Sequence, residues 1–249
     1  MSLLILGGML LAAADIGEPT AVKALLDEGA KINERDGDGR TALHRAAAAG
    51  HSQFVEALLE KEAKYETVDD GQWSPLHSAA SAGRAEVVQA LVRVGARLDT
   101  GAGSNKSTPI ILASSKGHLD IVKVLLVGGG NALAVDGSGA TALHRAASKG
   151  HVSVVDLLLS ADRSLIDQVD KAGNTAFHAA ATHQQEAACI ALAEAGAALT
   201  TSNADGESPG ALLKPSVLAQ LGLLGEEEEA EDHTDWLGEH YPIPNPSRN

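Results

Sequence analysis

Apolar residues along this chain come in short runs with helical spacing, two runs at a time, and each pair is followed by a polar break rich in Asp and Gly. Five tetrads open the first runs: Thr41-Ala-Leu-His44, Ser74-Pro-Leu-His77, Thr108-Pro-Ile-Ile111, Thr141-Ala-Leu-His144 and Thr175-Ala-Phe-His178. Their starts step by 33, 34, 33 and 34 residues. One step further lies a worn copy, Ser208-Pro-Gly-Ala211, and one step back lies Gly8-Met-Leu-Leu11. Seven units result, starting near 8, 41, 74, 108, 141, 175 and 208. Within each unit the pattern predicts two helices. Thr or Ser caps the first, and Pro fits the next position, where a helix has no N–H to lose. Gly17, Gly50, Gly83, Gly117 and Gly150 then end it in a left-handed turn. Pairs such as Leu25-Leu26, Leu58-Leu59, Leu125-Leu126 and Leu158-Leu159 mark the buried stripe of the second helix. The segments Asp36-Gly-Asp-Gly39, Asp69-Asp-Gly71, Asp136-Gly-Ser-Gly139 and Asp170-Lys-Ala-Gly173 have turn chemistry and are expected to form β-hairpin fingers.

No such unit can bury its apolar face alone, so neighbours must stack into a continuous core. The period and the Thr-Pro-Leu-His-like tetrad resemble the ankyrin repeat. The expected fold class is an all-α ankyrin-repeat solenoid of about seven helix-turn-helix repeats with short β-hairpin fingers. Residues 1–225 are expected to form that domain. Residues 226–249 are expected to form an acidic, flexible tail.

Composition narrows the chemistry. Aromatic residues make up only 2% of the chain, so Ala, Leu and Val must fill the core, which suits closely stacked helices. The single cysteine, Cys189, allows no disulfide within the chain and reads as a small buried residue. The net charge of −14 excludes a nucleic-acid footprint and suits a basic protein partner. Eight of the acids and a single base, Arg248, lie at or beyond Glu226. That acidic run reads either as a solubility tail or as a linear motif anchored by Trp236 and Tyr241. The apolar start of the chain has no Lys or Arg before Lys23 and is too short to span a bilayer, so it reads as the first helix of the array rather than a signal peptide or a membrane anchor.

Eight histidines fall at or near repeat positions: His44, His51, His77, His118, His144, His151, His178 and His183. Successive tetrad histidines are a whole repeat apart, and a zinc site needs three or four ligands converging at about 2 Å. They are expected to hydrogen-bond backbone between repeats, with no metal and no cofactor. Asp36-Gly-Asp-Gly-Arg40 begins like a calcium loop, but Ala47 stands where that loop needs a bidentate Glu. Gly101-Ala-Gly103 lacks the spacing of a phosphate-binding loop. A catalytic centre is therefore not expected.

Residues beyond the repeat consensus carry a narrower resemblance. Asp69-Asp-Gly-Gln-Trp-Ser-Pro-Leu-His-Ser-Ala-Ala-Ser-Ala-Gly-Arg84, Arg40-Thr-Ala-Leu-His44, Ala140-Thr-Ala-Leu-His-Arg-Ala-Ala-Ser-Lys-Gly150 and Gly173-Asn-Thr-Ala-Phe-His178 resemble the gankyrin family. Its members are ankyrin-repeat assembly chaperones of the proteasome regulatory particle. The resemblance runs in register from about Leu10 to about Leu213. It implies a cytoplasmic and nuclear protein, monomeric on its own, that clamps the C-terminal domain of a proteasomal AAA ATPase subunit. It further implies that Arg40, Arg84 and Lys116 meet acids of that domain, that Asp38, Asp69 and Asp70 meet bases, and that Trp73 lies on the same surface. Arg145 and Lys149 extend the basic row by one repeat. Some family members carry a Leu-x-Cys-x-Glu motif for the retinoblastoma protein in the sixth repeat. Here Ala179-Ala-Ala-Thr-His183 stands there, so that partner is not implied. A general ankyrin adaptor for another protein is the alternative.

Overall fold

The computed structural model describes residues 3–222; the acidic tail, with Trp236 and Tyr241, lies outside them. The described residues contain thirteen α-helices, and an antiparallel bridge joins Ala102 to Ser107. They divide into two compact units, residues 3–113 with 118–137 and residues 114–117 with 138–222.

The first unit contains α1 (Leu3–Ile16), α2 (Thr20–Asp27), α3 (Ala42–Ala49), α4 (Ser52–Glu60), α5 (Pro75–Ala82), α6 (Ala85–Arg93), most of α7 (Pro109–Lys116) and α8 (Leu119–Val127). First helices pack on first helices, α1 on α3 and α3 on α5. Second helices pack likewise, α2 on α4, α4 on α6 and α6 on α8. Ala46, Ala47, Ala79 and Ala80 are fully buried where the first helices meet, which permits their close approach. Phe54, Val55, Leu58, Val87, Val88 and Leu91 fill the layer beneath the second helices. The apolar start of the chain belongs to α1, with Leu6 and Leu10 buried.

The second unit repeats the scheme with α9 (Ala142–Ser148), α10 (Val152–Ala161), α11 (Ala176–Thr182), α12 (Glu186–Glu194) and a short α13 (Pro215–Gln220). α9 packs on α11 and α10 on α12, over Ala146, Ala147, Ala180, Leu158 and Leu192. Among the described residues, no helix is long and apolar enough to cross a membrane.

The fingers are tighter than paired strands. In each of four, one N–H bonds to the carbonyl four residues on: Asp36 to Arg40, Asp69 to Trp73, Asp170 to Asn174 and Asn203 to Glu207, all at 2.9 Å. The side-chain oxygen of that first Asp or Asn accepts two further N–H groups, as Asp69 does from Gly71 and Trp73 at 2.9 Å. Five residues closed in this way leave no length for a strand pair. Single backbone bonds join neighbouring fingers, such as Asp70 N–H to Asp38 O (3.1 Å) in the first unit and Lys171 N–H to Ser138 O (3.0 Å) in the second.

Candidate functional site

The tetrad histidines join each repeat to the next. His44, His77, His144 and His178 are buried. In each, Nδ1 accepts the backbone N–H of the Thr or Ser that opens the tetrad, at 3.1–3.2 Å. Nε2–H then donates to a carbonyl of the following loop: Trp73 (3.0 Å), Thr100 (2.6 Å), Asn174 (2.9 Å) and Glu207 (3.1 Å). A carbonyl only accepts, so this geometry fixes the neutral Nε2–H tautomer. Burial lowers the pKa of His44, His77 and His178 below the ordinary 6.5, against a smaller opposing effect of the carbonyl bond. A second series points the other way along the chain. His51 donates to Asp15 O (3.0 Å), His118 to Ser81 O (3.3 Å) and, in the second unit, His151 to Ser115 O (3.3 Å). These seven rings bond backbone between repeats as expected; His183 departs from that, its Nδ1–H donating within its own repeat to Ala179 O at 2.9 Å. Among the described residues, no group of three or more His, Cys, Asp or Glu is arranged to hold a metal ion.

In the first unit, two of the predicted residues, Arg40 and Trp73, line a groove of about 190 Å³ between α3 and α5, together with His44, Arg45, Ser78 and Ser81. Trp73 is half-buried, its ring 6.2 Å from that of His77 and tilted by 55°. Arg40 is half exposed and its Nε lies 3.4 Å from Asp69 Oδ2. Asp38 and Asp70 are exposed on adjoining fingers, and Asp70 faces Arg35 at 3.6 Å.

Two predicted contact residues have other duties. Asp69 is only 6% exposed and holds its finger closed, so its charge is spent within the fold. Arg84 occupies the repeat position of His51 and His118 and donates from Nε to Ala48 O at 3.0 Å, tying α6 back to α3. Arg45, which the sequence reading passes over, lines the groove and pairs with Asp15 at 3.0 Å. Its signal was available, because it stands four residues past its tetrad start, as Arg145 does.

In the second unit, Lys116 ends α7 and Lys149 follows α9. Both are exposed, and neither side chain makes a hydrogen bond or ion pair with the described residues. Arg145 donates to Ser138 Oγ on the adjoining finger at 2.9 Å. Cys189 is 1% exposed, and burial, with the nearby Glu186 charge, pushes its thiol up to about 12, so it is no nucleophile at neutral pH. Gly206-Glu-Ser-Pro-Gly210 has the spacing of a hydrolase nucleophile elbow, a match the sequence reading misses. Ser208 is nevertheless buried, no strand leads into it, and its Oγ accepts from Ala211 N–H at the head of a 3-10 turn.

A sequence model described as "Ankyrin repeats (3 copies)" matches residues 9–102 and again 110–203. The crystal structure of the human ASB11 ankyrin repeat domain is similar, with a TM-score of 0.78 and 30% identity over 86% of this chain and 96% of that one. No curated protein gives a significant match. The repeat spacing, the capped helix pairs and the histidine links, together with these two likenesses, place the chain in the ankyrin-repeat family.

Proposed function

We propose that this ankyrin-repeat scaffold is an assembly chaperone of the proteasome regulatory particle, holding the C-terminal domain of a base AAA ATPase subunit in the cytoplasm and nucleus. Ankyrin repeats bind protein partners, and the chain has the architecture of such a scaffold. The observation that carries the finer reading is the pair of exposed cations, Lys116 and Lys149, that the fold itself does not neutralise. Arg40 beside Trp73 in the first unit adds charge next to an aromatic surface, the combination that dominates binding energy at interfaces. Exposed charges of this kind steer and orient a partner more than they hold it.

A general adaptor is the second reading. Its support is that Asp69 and Arg84, two of the positions implied by the family resemblance, are already engaged in holding the fold together.

The test is calorimetric titration with the isolated C-terminal domain of the proteasomal ATPase subunit at low and high salt. The chaperone reading expects tight binding that weakens with salt, and a loss of about tenfold or more, on the order of 1.4 kcal/mol, in Arg40→Glu or Lys116→Glu. Absence of binding at both salts would sink it and leave an adaptor for a different protein.

A further inference from the structure

Charge in the second unit is sorted by helix. The first helices, α9 and α11 with the last turn of α7, present Lys116, Arg145 and the adjoining Lys149 and carry no acid. The second helices, α10 and α12, carry Asp156, Glu186 and Glu194 and no base. Other bases of the unit are engaged: Arg145 donates to Ser138 Oγ at 2.9 Å, Lys214 pairs with Glu186 at 2.8 Å, Arg163 donates to Ala195 O at 2.6 Å, and Lys171 also has a partner. Lys116 and Lys149 thus form an uncompensated basic face on one side of an otherwise acidic unit. The same unit contains α13, the last helix before the chain continues into Glu226–Glu239, where eight acids stand with no base among them.

We infer that the segment Glu226–Glu239 is an intramolecular ligand of the basic face formed by Lys116 and Lys149. Reach permits it. Three repeat steps at about 10 Å each separate α13 from α7 within the unit, roughly 30 Å. The chain from Gly222 to Glu239 spans up to about 55 Å when extended. The acids of α10 and α12 repel the segment from the opposite side. A single exposed ion pair contributes only about 0.2–1 kcal/mol. Tethering, however, presents the segment at an effective concentration on the order of millimolar, so a few such pairs suffice for partial occupancy. The regulatory consequence rests on the partner-binding reading above: an acidic partner has to displace the segment, which raises the threshold for binding and favours partners of higher charge density. The docking itself does not depend on that reading.

The experiment uses the full chain without any partner, so its failure is separable from failure of the chaperone reading. A zero-length carbodiimide reagent joins carboxylates to amines in contact, and the monomeric product is mapped by mass spectrometry. The expected links join acids of 226–239 to Lys116 or Lys149, and they vanish in high salt. In a full-length variant carrying Glu226→Gln, Glu227→Gln, Glu228→Gln, Glu229→Gln, Glu231→Gln and Asp232→Asn, Lys116 and Lys149 should label with an amine reagent roughly threefold faster than in the parent, relative to exposed Lys61. Links spread over exposed lysines without preference, unchanged labelling, or links confined to a covalent dimer would each overturn the inference.

Discussion

His77 is fully buried between a capping hydroxyl at 2.7 Å and the Thr100 carbonyl at 2.6 Å, and it satisfies both with one neutral ring. Protonation of Nδ1 would turn an acceptor into a donor facing another donor. The sign of the pH dependence follows. With its folded pKa depressed by burial, the ring contributes stability that is fully present above its ordinary 6.5 and is lost as pH falls from there toward the folded value. Urea unfolding should therefore show stability falling with acidity below about pH 6.5. His77→Ala should cost about 2 kcal/mol at neutral pH and flatten that slope, since two buried bonds go. An unchanged slope would remove His77 from the explanation. Among the described residues, four other than glycine have left-handed backbone: Glu62, Gln72, Lys106 and Gln184. Each stands at a repeat position where other repeats place glycine, as Gly29, Gly95 and Gly129 do for Glu62. Glu62 is exposed and makes no side-chain bond, so Glu62→Gly should raise the unfolding midpoint, by about 1 kcal/mol of stability.

At the scale of the element, α7 differs from α3, α5, α9 and α11. Its tetrad ends in Ile111 rather than His, and Thr108 Oγ1 is left buried without a partner. Ser114 Oγ, on the same helix, is also buried and unpaired. An orphaned buried hydroxyl costs its desolvation and returns nothing. Ser114→Ala should therefore be neutral or stabilising by up to about 1 kcal/mol in chemical denaturation, whereas a loss above that would reveal a partner for the hydroxyl. The absence of His in this tetrad was visible in the sequence. That Thr108 and Ser114 keep buried, unpaired hydroxyls was not, because burial depends on neighbouring helices.

The whole molecule offers one probe in each compact unit. Trp73 lies in the first, and Cys189, buried with its thiol held up to about 12, lies in the second. The buried side chains of α12 are Ala188, Cys189 and Leu192, against Phe54, Val55 and Leu58 on α4. Less apolar side chain is buried on α12 than on α4, and repeat stability is close to a sum of local terms. In a Trp236→Phe background, thiol labelling of Cys189 should rise at lower urea than the change in Trp73 fluorescence. Coincident midpoints would mean that the two units unfold as one.

The repeat, its phase, its capped helices and the structural use of its histidines were all legible in the residues alone. Each rests on local chemistry that recurs in phase: a cap needs Thr or Ser, a left-handed turn favours Gly, and a stripe needs apolar residues on one helical face. Asp38, Arg40, Lys116 and Lys149 are exposed, since charge at a non-core position has nowhere else to go, and Trp73 is half-buried at the groove. Only the tertiary structure decided which charges are free. Asp69 and Asp70 are neighbours in sequence, yet one is buried as the anchor of its finger and the other is exposed beside Arg35. Arg84 is exposed, yet its guanidinium also reaches the carbonyl of Ala48, 36 positions away. A residue's type and period set what it can bond to. What stands within 3 Å of it is set by how one repeat stacks on the next, and a single repeat does not contain that information.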